Sequence, residues 1–279
     1  MSTVTCVAAA PPRAVVSSLD HVSFSSLKTY QTCPRKFAFK YMEHAEEEFT
    51  GGALVFGGAF HRAVEHVHEK LIEGSPVPDA DTLLNVYDES WQLETTGKPE
   101  VVYAKDEDAG TMRETAKRML AAYRDHVVTT NVNAPTQIIA IEHSHQFRLL
   151  ADVPPIEMRL DLLELRGGDL IVTDVKTSRS RWNDAKVAES LPQLILYAHG
   201  LVPLLKELGA KRIVPRFVAV TKGKTPVVQV LEPQASQADA DKLKRTVRET
   251  WDAIQKEVFV PREGWHCAQC PFRRQCLGR

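Results

Sequence analysis

Apolar residues change their spacing near residue 135, and the change divides the chain into a helical part and a strand-rich part. Before it, Phe56, Phe60, Val64, Val67 and Leu71 recur every three or four residues, which is the period of one face of an α-helix. After it, short apolar runs are separated by turns rich in glycine and charge, a pattern typical of strands.

The helical spacing predicts a first helix that begins at Ser23 or Ser25 and is broken at Pro34. Serine is a favoured N-cap residue, and proline within a helix removes a backbone donor. Further helices are predicted over 55–73, 79–94 and 106–128. We expect the segment from about 56 to 130 to form a helical lobe.

The second part predicts a strand over 136–149, a hairpin over 156–178 that turns at Gly167-Gly168, and strands over 213–220 and 226–231. Helices are predicted over 189–208 and 235–258. Gly223-Lys224-Thr225 resembles the end of a phosphate-binding loop, but the stretch runs from strand to strand and predicts a hairpin turn. Helices on both sides of a strand cluster predict an α/β fold with a sheet core over about 135–232.

Composition narrows the class of protein without naming a function. The 279 residues are 43% hydrophobic and 25% charged, with a net charge of −1, which is ordinary for a globular protein. The balance counts mildly against a nucleic-acid role, although local patches matter more than the total. No apolar run could span a bilayer, and residues 1–20 form a poor signal peptide. We therefore expect a flexible arm over 1–20, one domain over 21–279, and a cytoplasmic protein.

The hairpin IEMRLDLLELRGGDLIVTDVKTS carries charged residues among apolar ones. Residues two apart in a strand share a face, so Asp174 and Lys176 are expected to project together, across from Asp161 on the other arm. Two carboxylates beside one lysine could hold a hard divalent cation and an attacking water. The alternative is the solvated face of an ordinary sheet. The apolar neighbours favour the metal site, because buried charges are costly unless they are paired or bound to metal.

Five cysteines are unevenly placed, which argues against a secreted disulfide framework. Three of them form a C-x-x-C-x5-C pattern in a tail over 265–279, and a metal site would need a fourth ligand. Cys33 is the stronger candidate and Cys6 the weaker, so that a metal would join the N- and C-terminal segments. The spacing leaves zinc, an iron–sulfur cluster and no metal at all as alternatives. The three cysteines of the tail are Cys267, Cys270 and Cys276.

Five short motifs, in this order, resemble the RecB-like nucleases of the PD-(D/E)XK superfamily. They are S-x-S-x-L-x-x-Y-x-x-C-P-R-K-F, G-G-A-F-H, M-R-L-D, T-D-V-K-T and Q-L-I-L-Y, followed by the closing cysteines. The resemblance runs from about residue 23 to 276. It is to the branch with an iron–sulfur cluster, which includes AddB-type nuclease domains and the Cas-four exonucleases of CRISPR systems. The G-x-x-D-R pattern usual around the first acid is incomplete, since Glu157–Leu162 lacks the glycine and the arginine that follows the acid.

The resemblance implies a restriction-endonuclease-like mixed sheet flanked by helices, with an inserted helical lobe. It also implies roles for individual residues. Catalysis is expected from Asp161, Asp174 and Lys176, and binding of Mg²⁺ or Mn²⁺ is expected from His61, Asp161, Asp174 and the Val175 carbonyl. A four-iron, four-sulfur cluster rather than zinc is expected at Cys33, Cys267, Cys270 and Cys276. Contacts with DNA are expected from Gln193, Tyr197, Arg179 and Arg35.

The activity that the resemblance implies is a metal-dependent DNA exonuclease acting on single-stranded DNA with free ends. Its expected setting is DNA repair and recombination beside a helicase, or CRISPR adaptation beside the adaptation proteins, with no membrane partner. The alternative is a non-catalytic DNA-binding or scaffolding subunit of such a complex. The complete set of two acids and a lysine favours the enzyme.

Overall fold

The computed structural model of the protein describes residues 19–133 and 136–278. The predicted arm over 1–20 therefore lies outside the described residues, except for its last two.

Helices occupy the first part of the chain, as the spacing predicts. Ser23 caps the first of them through a reciprocal pair of hydrogen bonds with Ser26, and the helix ends at Cys33 before Pro34 starts a new one. These helices are α1 (Phe24–Thr32), α2 (Pro34–Phe37) with a π-helical turn (Ala38–Met42), α3 (Gly52–Ile72), α4 (Ala80–Thr95) and α5 (Ala109–Asn133).

A mixed six-stranded sheet lies at the centre of the described part of the chain. Its order is β1-β5-β6-β7-β8, with β4 on the other side of β5; β6 and β7 are parallel, and β4, β5 and β6 are antiparallel in turn. Two short strands, β2 and β3, form a separate pair. The strands are β1 (Val22–Ser23), β2 (Thr50–Gly51), β3 (Val101–Val102), β4 (Gln137–Phe147), β5 (Ile156–Arg166), β6 (Asp169–Ser178), β7 (Ile213–Thr221) and β8 (Val228–Leu231).

The predicted hairpin is confirmed as β5 and β6. Its two turn residues, Gly167 and Gly168, have φ values of +59° and +89°, which is the backbone conformation that a tight two-residue hairpin requires and that glycine adopts without strain.

The remaining helices follow the sheet. We predicted that the first of them begins at residue 189, and this was wrong: the helix begins at Asp184, because the side chain of Asn183 caps it and Pro192 is accommodated in its interior. These elements are α6 (Asp184–Glu207), α7 (Gln237–Gln255), a 3-10 turn (Trp265–Gln269) and α8 (Arg273–Leu277).

The two faces of the sheet are covered by different helices. On one face, α3, α4 and α5 form a core with Val175, Val218 and Val220; that these helices constitute a separate lobe stays a prediction. On the other face, α6 packs against Leu163 and Val172. A third cluster joins α1, α6 and α7 around Trp251. The sheet therefore lies between two helical layers, as the α/β prediction required.

Candidate active site

A fork in the sheet creates the candidate site. β5 pairs with β4 along its whole length on one edge, and on the other it pairs with β1 at residues 156–157 and with β6 only at residues 162–166. Residues 158–161 therefore have no strand partner on that second edge. Asp161 lies at the point where β5 and β6 separate, and Asp174 lies one residue beyond the last pair, Leu162 with Thr173.

The side chain of Asp161 bridges the fork. Its Oδ2 accepts a hydrogen bond of 2.6 Å from the backbone N–H of Val175, so the carboxylate replaces a missing strand partner. The same oxygen lies 3.5 Å from Nδ1 of His61 on α3. Val175 contributes its N–H in this arrangement; the predicted role of its carbonyl as a metal ligand stays a prediction.

Glu142 completes a group of three donors. Its Oε1 lies 3.8 Å from Nδ1 of His61, and donor atoms of His61, Glu142 and Asp161 all lie within 4.8 Å of one another. Among the described residues, this is the one group of three or more His, Cys, Asp or Glu side chains whose donor atoms lie that close together. Carboxylate oxygens and an imidazole nitrogen are suitable ligands for a small divalent cation such as Mn²⁺.

Sequence reasoning missed Glu142, although the residue leaves two signals. Ile141 pairs with Leu162 and His143 with Leu160, so Glu142 lies across from Asp161. Its φ of +43° is left-handed, a strained conformation for a non-glycine residue that is concentrated at functional sites. In the sequence, Glu142 is a lone acid in the strand pattern IIAIEHSHQF. Its proximity to Asp161 follows only once the pairing register of β4 and β5 is known.

The second acid, Asp174, is engaged by other side chains. It is 2% exposed, and its two oxygens lie 3.0 and 2.8 Å from Nζ of Lys176. Gln193 donates a hydrogen bond of 2.9 Å to Oδ1 of Asp174 and one of 2.8 Å to the hydroxyl of Tyr197. Asp174 and Lys176 thus share a face, and Gln193 and Tyr197 orient the carboxylate from α6. Tyr197 is itself buried.

Charge is concentrated in this site at an energetic cost. Burial raises the pKa of Asp161 to about 7, with the neighbouring charge of Asp174 acting in the same direction and His61 opposing it. Burial likewise raises the pKa of Asp174 against the influence of Lys176. For His61, burial lowers the pKa, but the nearby carboxylates outweigh it and the pKa is raised overall. Two buried carboxylates that resist ionisation are stabilised by a bound cation.

Glu142 remains the ionised member of the group. Burial opposes its ionisation, but His61 and Arg159 outweigh burial and lower its pKa. Nε of Arg159 lies 2.6 Å from Oε2 of Glu142. Arg159 stands two residues before Asp161 on β5, whereas the usual motif has an arginine directly after the acid.

The two other predicted DNA contacts lie apart from this constellation. Arg179 is 77% exposed and forms an ion pair of 3.7 Å with Glu107. Arg35 pairs with Glu43 and lies over the ring of Phe39. Their proposed contacts with phosphate stay predictions.

The four predicted cysteine ligands line one cavity. Its volume is about 290 Å³, and Cys33 at the end of α1 faces Cys267, Cys270 and Cys276 of the tail. The backbone N–H of Arg262 lies 3.5 Å from Sγ of Cys33. Burial raises the pKa of Cys270 and of Cys276, and the other sulfurs add to the effect. The fold therefore brings together residues that are more than 230 positions apart.

Comparison with known proteins agrees with this geometry. The family model described as the PD-(D/E)XK nuclease superfamily matches residues 21–277. The chain belongs to the PD-(D/E)XK nuclease superfamily. Asp161, Asp174 and Lys176 lie within the matched range, and their assignment as the two acids and the lysine of the motif stays a prediction.

A solved structure shares this fold at low sequence identity. A protein of Eubacterium rectale, provisionally named an exonuclease, aligns with a TM-score of 0.54 and 10% identity, covering 94% of this chain and 91% of its own. The structure of SSO0001 aligns with a TM-score of 0.33 and 16% identity, covering 89% and 92%. No curated protein matches the chain significantly. None of the helices in the described parts of this PD-(D/E)XK protein combines the length and hydropathy that a bilayer span requires.

Proposed function

We propose that this PD-(D/E)XK protein is a divalent-metal-dependent deoxyribonuclease that removes nucleotides from free ends of single-stranded DNA. The observation that carries the proposal is the pairing of Lys176 with buried Asp174, directly beside the His61, Glu142 and Asp161 donors. A structural ion pair would not require three further ionisable groups around it. A hydrolytic site does, because it must hold a cation, a water and a phosphate at once.

Different residues of the site would contribute metal binding and stabilisation of charge. His61, Glu142 and Asp161, with Asp174 beside them, would hold Mg²⁺ or Mn²⁺, which would supply positive charge at the phosphate and make a bound water more acidic. Lys176 is 32% exposed at its side chain, so its ammonium group can reach the substrate and stabilise the negative charge that develops on the phosphate. Its position is fixed by Asp174, whose own orientation is fixed by Gln193.

Cleavage assays test the proposal directly. Labelled linear single-stranded DNA should be degraded with Mn²⁺ or Mg²⁺, and Asp174→Asn should abolish degradation. Asp169→Asn is the matched control, because Asp169 lies on the same hairpin but forms an exposed pair with Arg212. Resistance of circular single strands would identify an exonuclease, and a duplex substrate would establish strand preference. If no divalent metal supports cleavage, the non-catalytic DNA-binding alternative replaces the enzyme.

We further propose that the four cysteines hold a four-iron, four-sulfur cluster. The four cysteines line one cavity, and the resemblance to the cluster-bearing branch of RecB-like nucleases favours an iron–sulfur cluster over zinc. Iron and sulfide analysis of protein purified without oxygen, with Cys33→Ser as the comparison, tests it; stoichiometric zinc without iron would refute it.

Two biological settings fit the same activity. The resemblance to RecB-like and Cas-four proteins favours either end resection with a helicase in repair and recombination, or trimming of DNA in CRISPR adaptation. Co-purification of the tagged protein from its host, followed by identification of a helicase or of adaptation proteins, separates them.

A further inference from the structure

A fully exposed tryptophan stands beside the cysteine cavity. Trp265 is 89% exposed, whereas Trp182 and Trp251 are buried at 8% and 4%. Its ring contact within the described residues is an edge-on one with His266, at 5.9 Å between centroids. A large aromatic side chain left in water forgoes the burial that normally stabilises it in a fold. Packing within the fold therefore does not account for a tryptophan at this position.

The backbone that carries Trp265 is nevertheless well anchored. Trp265 begins the 3-10 turn that leads to Cys267, and the N–H of Cys267 donates to the carbonyl of Gly264. The side chain of His266 lies 2.8 Å from the carbonyl oxygen of Arg262. Arg262 in turn donates to the carbonyl of Gln31 at the end of α1. A rigidly mounted aromatic loses little conformational entropy when it binds a partner.

Positive charge lines the cavity beside the 3-10 turn of Trp265. Lys36, Arg262 and Arg273 line this cavity, with Glu263 as the acid among its lining residues. In the part of the chain that the structure describes, Lys36 and Arg273 form no ion pair with an acid. The exposed indole thus follows Gly264 and precedes His266, two lining residues of a cavity whose rim carries three cations.

We propose that Trp265 and this cationic rim form a base-stacking contact for single-stranded DNA, separate from the catalytic fork. A nucleotide strand offers flat apolar base faces and a phosphate beside each, which match an exposed indole and its neighbouring cations. Duplex DNA hides the base faces, so the surface favours a single strand. The contact holds the strand while its end is cleaved. This inference rests on the proposed nuclease function and adds a substrate-binding surface to it.

Binding measurements with a substrate that resists cleavage test the contact. Fluorescein-labelled oligo(dT) with phosphorothioate linkages is titrated with wild type, Trp265→Ala, Trp265→Phe and the control Leu93→Ala. Leu93 lies on α4, does not line the cavity and is 78% exposed. Loss of the stacking contact in Trp265→Ala is expected to weaken binding about 5- to 150-fold; phenylalanine should retain part of the affinity, and Leu93→Ala should bind as wild type.

A second probe isolates stacking from charge. On an abasic strand of the same length, Trp265→Ala and wild type should bind equally, because no base is present to stack. In the wild type, oligo(dT) should also quench the tryptophan fluorescence, and Trp265→Phe should lose that quenching. Equal circular dichroism and equal iron content in all variants exclude a folding defect.

Three results would overturn the inference: unchanged binding by Trp265→Ala, equal losses on base-containing and abasic strands, or the same loss from Leu93→Ala. In the first case the indole serves some other partner, such as a protein. Failure of the inference is distinguishable from failure of the proposed function. If wild type cleaves single strands and Trp265→Ala binds them normally, only the stacking contact is refuted. If wild type cleaves no DNA, the nuclease assignment itself fails.

Discussion

Replacement of Glu142 by glutamine tests whether the acid missing from the sequence motifs is a metal ligand. The side chain is 11% exposed and lies 3.8 Å from His61 and 2.6 Å from Arg159. Glutamine keeps the size and one carbonyl oxygen but removes the negative charge. If Glu142 binds the cation, Glu142→Gln should weaken metal affinity; if it only positions Arg159, metal affinity should not change.

The magnitude follows from distance and burial. Two unit charges about 4 Å apart interact by roughly 4 kcal/mol at an effective dielectric constant of about 20. This is an upper limit here, because Arg159 shares the carboxylate, the cost of desolvation opposes the attraction and the glutamine oxygen remains a ligand. Loss of supporting groups around a metal typically costs about 10- to 100-fold in affinity, or about 1.4–3 kcal/mol. We expect a loss in that range.

Calorimetric titration with Mn²⁺ measures the effect, and cleavage assays at rising Mn²⁺ show whether excess metal restores the rate. Glu157→Gln is the matched control, since Glu157 lies on the neighbouring strand and pairs with His21 outside the site. Equal Mn²⁺ affinities for Glu142→Gln and wild type would refute the assignment. A rate defect that excess metal does not relieve would instead give Glu142 a role in positioning.

Three further changes have defined outcomes. Lys176→Met should lower kcat about 100- to 1,000-fold with little change in Mn²⁺ affinity; single-turnover cleavage measures this, and a loss below about tenfold would contradict it. Burial lowers the pKa of His68 to about 4, so the unfolded state binds more protons than the folded state as the pH falls. This residue should therefore lower the free energy of unfolding by about 2 kcal/mol between pH 7 and pH 5. Urea unfolding should show a weaker pH dependence of that free energy in His68→Phe than in wild type, and an equal pH dependence would argue against the prediction. Gly200→Ala should lower the free energy of unfolding by about 1–3 kcal/mol, because its Cβ would lie 2.7 Å from side-chain atoms of Met158 and Phe147. Gly57→Ala places its Cβ in open space and should raise the free energy of unfolding by up to about 1 kcal/mol. Urea unfolding compares the two variants, and a Gly200→Ala protein as stable as wild type would show that the neighbouring side chains move aside.

Local patterns were sufficient to predict most elements of the fold. The helical stripe around Phe60, the capping serine and the Gly167-Gly168 turn depend on neighbours a few residues apart, so the sequence displays them directly. The predicted start of α6 at residue 189 was wrong because it followed the apolar residues of the helix, whereas the helix begins five residues earlier at a polar turn capped by Asn183. The short pair of β2 and β3 escaped prediction because two-residue strands carry no period.

The candidate site was predictable where residues share one strand or helix. Asp174 with Lys176, and Gln193 with Tyr197, follow from periods of two and four. Glu142 was not predictable in this way, since its proximity to Asp161 and His61 depends on strand register and on the crossing of α3. The exposure of Trp265 was equally invisible, because an aromatic residue in a tail has no spacing that separates a buried position from a solvent-facing one.

The joining of distant ends has a consequence for synthesis of the chain. Leu27, Tyr30 and Phe37 are buried against α7 and the segment after it, and the hydroxyl of Tyr30 donates to the carbonyl of Val258. On a ribosome that adds about 5–20 residues per second, α1 emerges roughly 10–40 s before its packing partners exist. During that interval its apolar face is exposed to solvent and to chaperones. Among the described helices, α1 is therefore made early and completes its burial late.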